Sequence, residues 1–400
     1  MPLRIGIVAG ESSGDALGSG LMRATRQHVP DVEFTGVGGE RMLAEGLVPR
    51  ADISCFNVNG FVDPLKRLPD LLRTLRDLVG HFTSTPMDVV VGVDFNVFNL
   101  LLERRVKRRG IPTAHYVSPS VYAWRRGRVK KIGRSTDVVM ALFPFEPALY
   151  EDRGVRAVFV GHPFADEIAP GDGGAERRRA ARTELGLPDD VTVIALLPGS
   201  RMSEIDLMAD TFLRTAVRLA GPLRPCAFVV PCANPRIRDA LEARCQEFEG
   251  LDVRLADGNA RAVLAACDGA LVKSGTGTLE AMLLRRPMAV TYRLGAVTYR
   301  IVKALKRSEF VALPNILSGR PLVPELLQDD ARPELLAEAL LGEITRARRD
   351  PEYFAEFERQ HANLRRGGGA ARPPPRGARG AGPRGPPHPP APRPAPDGPA

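Results

Sequence analysis

The sequence predicts an α/β protein with two parallel sheets, one in each of two domains that face each other across a ligand cleft. Two segments carry this prediction, Arg4–Asp15 (RIGIVAGESSGD) and Val191–Arg201 (VTVIALLPGSR). Each is an apolar run followed by a loop of glycine and small polar residues, which is typical of a buried parallel strand leading into a helix N-terminus. Because the two segments lie roughly 190 residues apart, they indicate two such domains.

Apolar strands and helical patterns alternate along the first half of the chain, and this alternation predicts a parallel sheet with crossover helices. The predicted strands are Ile5–Ala9, Val32–Val37, Val89–Val93, Thr113–Val117, Val138–Leu142 and Val158–Val160. The helices predicted between them include Asp15–Gln27, Phe98–Arg109 and Pro147–Arg153.

A second series with the same alternation begins near Glu176. Its predicted strands are Val191–Leu197, Cys226–Pro231, Val253–Leu255, Gly269–Val272 and Met288–Tyr292. Its predicted helices include Ile205–Leu219, Pro235–Glu249 and Thr278–Leu284, and one or two terminal helices are expected over Pro333–Leu364.

Proline, glycine and aspartate cluster in His162–Gly174 (HPFADEIAPGDGG) and predict a hinge there. We therefore expect a first domain over residues 1–165, a second over 175–345 and a terminal helix over 346–364. Residues 365–400 contain no Leu, Ile, Val or Phe and are rich in Arg, Pro and Gly, so we expect a disordered tail. A shifted reading frame in a GC-rich gene explains this composition better than a functional basic tail.

Charge and cysteine content narrow the class of function. The formal net charge is +9, but residues 365–400 hold seven arginines and one aspartate, so the rest of the chain carries only +3. With no zinc or stacking-aromatic pattern, we expect no nucleic-acid partner. The five cysteines lack C-x-x-C spacing, which favours reduced thiols in the cytosol. We identify no signal peptide, no apolar run of about 18 residues and no metal-ligand cluster.

Two acidic residues follow predicted strands of the first domain. Glu11 lies in the loop Ala9–Asp15 (AGESSGD), which is neither a dinucleotide fingerprint nor a Walker loop, and its carboxylate favours a hydroxyl-bearing ligand over a pyrophosphate. Asp94 ends the strand Val89–Val93, where a carboxylate can accept a proton from an attacking hydroxyl. Helix capping, by Ser13 or a neighbour in the first loop and by Asp94 in the second, is an alternative that the residues alone leave open.

A strand end, an aromatic pair and a basic run follow one another in His115–Arg134 (HYVSPSVYAWRRGRVKKIGR). This combination suits an anionic sugar or lipid headgroup, although a solvated helix face would explain about half of its charges. The amphipathic basic segment Val58–Val79 is either a membrane-surface helix or an ordinary core-facing helix. Within His115–Arg134, the candidate residues for contacting the ligand are His115, Ser118, Ser120, Trp124 and Arg125.

Two loops of the second domain are typical of phosphate binding. In the first, Ser200 and Arg201 follow a proline and a glycine, and they offer backbone N–H groups and a guanidinium to a diphosphate. In the second, Ser274 and Thr276 open a helix, and Glu280 in its first turn could hold ribose hydroxyls. A helix cap would explain either loop alone, whereas the two together favour a nucleoside diphosphate.

Seven segments in order, from about Leu3 to Leu364, resemble the lipid-A-disaccharide synthase family. They are VAGESSGD, HYVSPSVYAWR, LFPFE, VGHP, LLPGSR, SGTGTLE and LPNILSGRPLVPELLQ. The resemblance implies an inverting glycosyltransferase of the GT-B class (family 19), which has two Rossmann-like domains. Such an enzyme joins UDP-2,3-diacylglucosamine to 2,3-diacylglucosamine 1-phosphate (lipid X), giving the β-1,6-linked disaccharide 1-phosphate and UDP.

The resemblance also implies roles for individual residues. Asp94 is the general base for the acceptor 6-hydroxyl, Glu11 belongs to the N-terminal active-site loop, and Arg201 with Ser200 holds the diphosphate. The donor-side positions are Asn234, Ser274, Thr276, Glu280, Asn315 and Glu325. The acceptor and lipid side comprises Ser13, Asn59 and Phe61 together with His115, Ser118, Ser120, Trp124 and Arg125.

The implied setting is the inner face of the cytoplasmic membrane of a Gram-negative-type bacterium. There the protein would bind peripherally, act without a cofactor or metal, and be free to form a homodimer.

The chain departs from the family's pattern in two site segments. The family pattern Asp-x-Pro-Asp-Phe-Asn becomes Asp94-Phe95-Asn96-Val97-Phe98-Asn99, so Asn96 and Val97 stand where the proline and the second aspartate are expected. The family pattern Met-Gly-hydrophobic-Val-Glu-Val-Leu becomes Asn59-Gly60-Phe61-Val62-Asp63-Pro64-Leu65, so Asn59 replaces a methionine. The family's closing helix should also continue past Leu364. Two alternatives therefore stay open. One is another GT-B enzyme, either a UDP-N-acetylglucosamine transferase or a 2-epimerase. The other is a paralogue that binds lipid or nucleotide sugar without catalysis.

Overall fold

Two parallel β-sheets organise the computed structural model, which describes residues 2–56, 64–119, 129–151, 153–295 and 309–366. The first sheet consists of β1 (Arg4–Ala9), β2 (Glu33–Val37), β3 (Leu47–Pro49), β4 (Val89–Val93), β5 (Thr113–Tyr116), β6 (Val138–Ala141) and β7 (Arg156–Phe159). The second consists of β8 (Thr192–Leu197), β9 (Cys226–Cys232), β10 (Val253–Asp257), β11 (Gly269–Lys273), β12 (Met288–Tyr292) and β13 (Glu325–Leu327).

Both sheets reverse their strand order beside their first strand. The order is β3-β2-β1-β4-β5-β6-β7 in the first sheet and β10-β9-β8-β11-β12-β13 in the second. Connections therefore leave β1 and β8 toward opposite edges, which opens a crevice at the carboxyl ends of the strands. The predicted α/β class with two parallel sheets is confirmed. Strands β3 and β13 were not predicted, because three residues are too few to show a hydrophobic period.

Helices connect most of the strands. In the first part they are α1 (Ser12–His28), α2 (Glu40–Ala44), α3 (Pro64–Ser84), α4 (Asn96–Lys107), α5 (Val129–Gly133), α6 (Ala148–Glu151) and α7 (Pro163–Glu167). They continue with α8 (Ala175–Glu184), α9 (Met202–Ala220), α10 (Pro235–Cys245), α11 (Ala260–Ala266), α12 (Thr276–Leu283), α13 (Leu313–Ser318), α14 (Pro333–Arg349) and α15 (Ala355–Leu364). Four of them, α1, α4, α9 and α12, begin before their predicted first residue, because a polar first turn shows no apolar period.

Apolar side chains cover both faces of the first sheet, as a parallel sheet requires. Ile7 of β1 packs on one side with Met22 of α1. The next residue along the strand, Val8, packs on the other side with Phe82 of α3 and Leu102 of α4. The central strands of the sheet are thus covered by helices on both faces.

The last helix returns to the segment that connects the two sheets. Leu364 at the end of α15 accepts a hydrogen bond from the His162 backbone N–H at 3.0 Å. His361 Nε2 lies 3.0 Å from the Ala165 carbonyl and 2.9 Å from the Ile168 carbonyl. Residues 367–400 lie outside the described residues, so the predicted tail and the proposed domain boundaries stay predictions. None of the helices within the described ranges is both long and apolar enough to cross a bilayer.

Glu146 is a buried acid in the loop between β6 and α6. It is only 2% exposed, and its Oε2 accepts a hydrogen bond from the Phe143 backbone N–H at 3.0 Å. Burial raises the pKa of this carboxyl to about 7. Hydrogen bonds from Phe143 and Ser118 favour the charged form, but they do not offset the effect of burial. The folded protein therefore holds this proton up to a higher pH than the unfolded chain does.

Replacing Glu146 by Gln should flatten the pH dependence of stability. The contribution of the buried acid is fully present below about pH 4.5, where both states are protonated, and is lost as the pH rises through the folded pKa of about 7. The unfolding free energy of the wild type, relative to Glu146→Gln, should fall by about 3 kcal/mol over that range. Thermal midpoints measured from pH 4.5 to 8 would show it. The exposed Glu151→Gln is the control, and parallel curves for wild type and Glu146→Gln would contradict the assignment.

Candidate active site at the carboxyl ends of the strands

Glu11 and Asp94 follow neighbouring strands of the first sheet. β1 and β4 pair directly, with Ala9 opposite Val93, so the two loops begin side by side. Glu11 is the exposed N-cap of α1. Asp94 is half-buried and precedes the N-cap of α4, which is Phe95, so Asp94 does not cap that helix. The two carboxylates therefore belong to one edge of the sheet.

The backbone of Asp94 adopts a conformation that side chains rarely take. Its φ is 47° and that of Phe95 is 43°, so both residues are in the left-handed region. The Asn99 amide Nδ2 lies 2.9 Å from the Asp94 carbonyl and 3.1 Å from those of Val8 and Val93, and donates into this turn. The turn bends the chain sharply at the strand end.

Asp15, at the end of the AGESSGD loop, has a local structural role. Its carboxylate accepts hydrogen bonds from the backbone N–H groups of Gly39, Arg41 and Met42, at 2.7 to 3.1 Å, and so caps α2. Ser13 is exposed in the first turn of α1. The loop is thereby fixed to the body of the sheet, while Glu11 and Ser13 face solvent.

His115 and Ser118 are buried beneath this edge. His115 is 0% exposed and bonds Asn96 Oδ1 through Nε2 at 3.1 Å and Glu103 Oε1 through Nδ1 at 2.7 Å. Ser118 Oγ lies 2.8 Å from the Tyr150 hydroxyl. Both hydroxyl and imidazole therefore contact protein groups. The other predicted residues of this side, Asn59, Phe61, Ser120, Trp124 and Arg125, lie outside the described residues.

Sequence reasoning did not single out Glu103, which lies buried on α4. Burial raises the pKa of its carboxyl, although the facing His115 and hydrogen bonds favour the charged form. The space for it comes from Gly92 on β4, where an added Cβ would overlap the Glu103 carboxyl. In the sequence, Gly92 inside the apolar strand Val89–Val93 was the one signal that another group approaches the strand closely.

A cleft of about 200 Å³ opens at the carboxyl ends of β8, β9 and β11 in the second sheet. Four predicted donor-side residues line it, namely Ser200, Ser274, Thr276 and Glu280. Other lining residues include Gly199, Glu204, Ala233, Gly258 and Lys273. The N-termini of α9 and α12 open at this cleft, so their helix dipoles favour an anion there.

Two cations stand beside the cleft and share one carboxylate. Glu204 Oε1 lies 2.8 Å from Lys273 Nζ and 3.5 Å from Arg201 Nη1. Burial opposes the charge of Glu204, but hydrogen bonds from Lys273 and the Ser200 N–H prevail and lower its pKa. The Arg201 side chain is 77% exposed, so it can turn toward a ligand. Lys273 and Glu204 were not among the predicted site residues.

Glu280 faces the same cleft from the first turns of α12. Its Oε1 lies 3.3 Å from Arg261 Nε. Burial raises the pKa of Glu280, and the charge of Arg261 counteracts that rise. A carboxyl held in this way can accept hydrogen bonds from hydroxyl groups of a ligand in the cleft.

The remaining predicted donor-side residues are engaged in the protein. Asn234 caps α10 by accepting from the Ile237 N–H at 3.0 Å, beside the lining residue Ala233. Asn315 is 1% exposed and bonds Glu325 Oε1 through its amide at 2.9 Å. Glu325 in turn accepts from the backbone N–H groups that precede α13. Asn315 and Glu325 thus brace the segment that hydrogen-bonds to Ser274 through the Val311 carbonyl.

This chain is similar to known proteins over most of its length. A family model described as lipid-A-disaccharide synthetase matches residues 5–366. The lipid-A-disaccharide synthase of Pseudomonas paraeruginosa is 47% identical over 357 residues, which cover 89% of this chain and 93% of that protein. The enzyme of the same name from Azotobacter vinelandii is 47% identical over 369 residues, covering 91% and 94%.

Solved structures share the fold at much lower identity. The UDP-GlcNAc 2-epimerase of Neisseria meningitidis, bound to UDP-GlcNAc, aligns with a TM-score of 0.59 at 12% identity, over 90% of this chain and 94% of that one. MurG of Acinetobacter baumannii aligns with a TM-score of 0.50 at 13% identity, over 91% and 100%. Likeness at this identity concerns the GT-B fold alone. Taken with the family match and the two close relatives, the chain belongs to the lipid-A-disaccharide synthase family and is a GT-B glycosyltransferase of lipid A biosynthesis.

Proposed function

We propose that the chain transfers a 2,3-diacylglucosamine unit from its UDP derivative to the 6-hydroxyl of lipid X, with inversion and release of UDP. The observation that carries this proposal is the cleft of the second sheet, where two helix N-termini meet and Arg201 and Lys273 lie close by. Two helix N-termini and two cations in one place suit a diphosphate leaving group.

Asp94 is the base of the proposed reaction. It takes the proton of the acceptor 6-hydroxyl as that oxygen forms a bond to the anomeric carbon of the donor sugar. The bond from that carbon to the diphosphate oxygen breaks on the opposite face, and its electron pair leaves with UDP. Glu11, in the neighbouring loop, contacts acceptor hydroxyls. Attack and departure on opposite faces invert the anomeric centre, so a β-linkage results from an α-linked donor.

Arg201 and Lys273 stabilise the charge that develops on the departing diphosphate. Both cations lie against Glu204. A bound diphosphate competes for them, and the exposed Arg201 side chain is the one free to turn. Glu280 binds the ribose hydroxyls of the same nucleotide. The protein thereby supplies charge stabilisation from its own groups.

Asp94→Asn should abolish turnover while leaving the protein folded. The amide keeps the shape of the carboxylate but cannot accept the proton, so kcat should fall by about 10² to 10⁴-fold. The measurement is UDP release with both acylated sugars present. The exposed Asp239→Asn on α10 is the control. Full activity of Asp94→Asn would exclude Asp94 as the base.

The alternative of a 2-epimerase has a separate test. Epimerisation of UDP-N-acetylglucosamine in the absence of an acceptor would favour that activity.

Arg201→Ala should weaken the use of the donor more than that of the acceptor. Loss of one charge-assisted contact to the diphosphate should lower kcat/KM for the donor by about 10 to 100-fold. Steady-state kinetics with each substrate varied in turn would measure this effect. Arg179→Ala, which removes an exposed arginine from α8, is the matched control. An unchanged donor kcat/KM would exclude Arg201 from the diphosphate site.

Peripheral membrane binding is proposed to use the face shared by α3 and α4. Leu68 and Leu72 on α3 are 47% and 50% exposed, and Val97 on α4 is 78% exposed. Arginines flank a shallow groove of about 410 Å³ between the two helices, namely Arg76, Arg105 and Arg109. Exposed apolar side chains rimmed by cations suit an anionic bilayer. The homodimer that the resemblance allows stays a prediction.

Leu68→Ser with Leu72→Ser should release the protein from anionic vesicles. Losing two inserted leucines should reduce partitioning to phosphatidylglycerol vesicles by about 10-fold or more. Turnover of detergent-dispersed substrates should stay within about two-fold, since neither leucine is at the strand ends. Leu207→Ser, at an equally exposed leucine of α9, is the control in sedimentation with vesicles. Undiminished binding of the double variant would exclude this face.

A further inference from the structure

A line of hydrogen bonds leads from Asp94 into the interior of the first sheet. Asn96 Nδ2 lies 3.1 Å from Asp94 Oδ1, and Asn96 Oδ1 lies 3.1 Å from His115 Nε2. His115 Nδ1 then meets Glu103 Oε1 at 2.7 Å. Both His115 and Glu103 are 0% exposed. The line therefore begins at a carboxylate that a ligand can reach and ends at an acid–imidazole pair that solvent does not reach.

Hydrogen-bond chemistry fixes the direction of the first two links. An ionised Asp94 only accepts, so the Asn96 amide must turn its NH₂ toward Asp94 and its oxygen toward His115. His115 Nε2 must then carry a hydrogen and donate it. One further proton is shared between His115 Nδ1 and the Glu103 carboxyl, as either an ion pair or a neutral pair. In both forms the hydrogen on Nε2, and hence the orientation of Asn96, is the same.

The sheet makes a specific space for this pair. His115 of β5 is opposite Gly92 of β4, and an added Cβ at Gly92 would overlap the Glu103 carboxyl. Burying an acid and an imidazole is more costly than burying an apolar pair of similar volume. Packing alone is therefore a poor explanation for burying these two residues. A hydrogen-bond partner at Nδ1 fixes the tautomer of His115, and Glu103 is that partner.

We propose that Glu103 and His115 are positioning residues for catalysis, which act through Asn96 to hold the carboxylate of Asp94 in its reactive orientation. This inference rests on Asp94 being the base, as proposed above. The Asn96 amide occupies Asp94 Oδ1 and leaves Oδ2 to the acceptor hydroxyl. The left-handed turn at Asp94 and Phe95 fixes the backbone conformation of Asp94. The buried pair of His115 and Glu103, acting through Asn96, fixes the orientation of its side chain.

Kinetics of single and double variants would test the pathway. His115→Phe and Asn96→Ala should each lower kcat by about 10 to 100-fold, because a misdirected base loses its alignment with the hydroxyl. KM for both substrates should stay within about three-fold, since neither residue contacts a substrate. In the double variant kcat should equal that of Asn96→Ala alone, because both changes interrupt one line. Additive losses would overturn the proposal.

The acid end of the line has its own test. Glu103→Gln can still hydrogen-bond His115 Nδ1, so it should retain more of kcat than Glu103→Leu, which has no hydrogen-bonding group. Equal kcat values for these two variants would contradict the role of Glu103. His81→Phe on α3 is the matched control for losing an imidazole. UDP affinity and thermal midpoints monitor folding, and Asn96→Ala carries the test if His115→Phe fails to fold.

Failure of this inference is distinguishable from failure of the proposed function. If Asp94→Asn is inactive while Asn96→Ala and His115→Phe retain full kcat, the base stands and the positioning line is excluded. If Asp94→Asn is fully active, the base itself is excluded, and the line with it.

Discussion

The carboxamide of Asn99 is the contact on which the edge of the first sheet depends. Its Nδ2 lies within 3.1 Å of three carbonyl oxygens, from the ends of β1 and β4 and from Asp94 itself. Carbonyls at such a turn have no ladder partner and need a donor when they are buried. The left-handed residues Asp94 and Phe95 cost about 1 to 3 kcal/mol each. A shared donor at this point is what makes so sharp a turn tolerable beside a helix start.

The two sheets repeat one topology but end in opposite charges. The loops after β1 and β4 carry Glu11 and Asp94, whereas the loop after β8 carries Arg201 and β11 ends in Lys273. A transfer from a nucleoside diphosphate needs both signs, a base for the incoming hydroxyl and cations for the departing phosphate. Placing the signs on separate sheets keeps Asp94 from pairing with the cations, whose counter-ion is Glu204.

Apolar period and glycine loops were enough to predict the long strands and the edge at which ligands bind. They were not enough for partners that lie far apart in the sequence. His115 and Asn315 follow or precede apolar runs and were expected near a ligand, yet His115 meets Glu103 and Asn315 meets Glu325 inside the protein. Lys273 is the last residue of β11, and in the sequence it is followed directly by a loop of glycine and small hydroxyl residues. It was therefore not distinguished from that loop as a separate site residue. Each of these pairs joins a helix residue to a strand residue, and a single sequence does not display how helices pack against strands.

Val97, the most visible departure from the family's pattern, lies outside the machinery proposed for Asp94. It is 78% exposed in the first turn of α4, and the line from Asp94 through Asn96 to His115 is complete without it. An aspartate there would stabilise the helix N-terminus by about 0.3 to 1 kcal/mol, which is small beside the loss of a base. Four residues on, Leu101 is also exposed, so the valine extends an apolar stripe along α4. This substitution therefore leaves the proposed catalytic residues intact and adds apolar surface to the face of α4 that we propose for membrane binding.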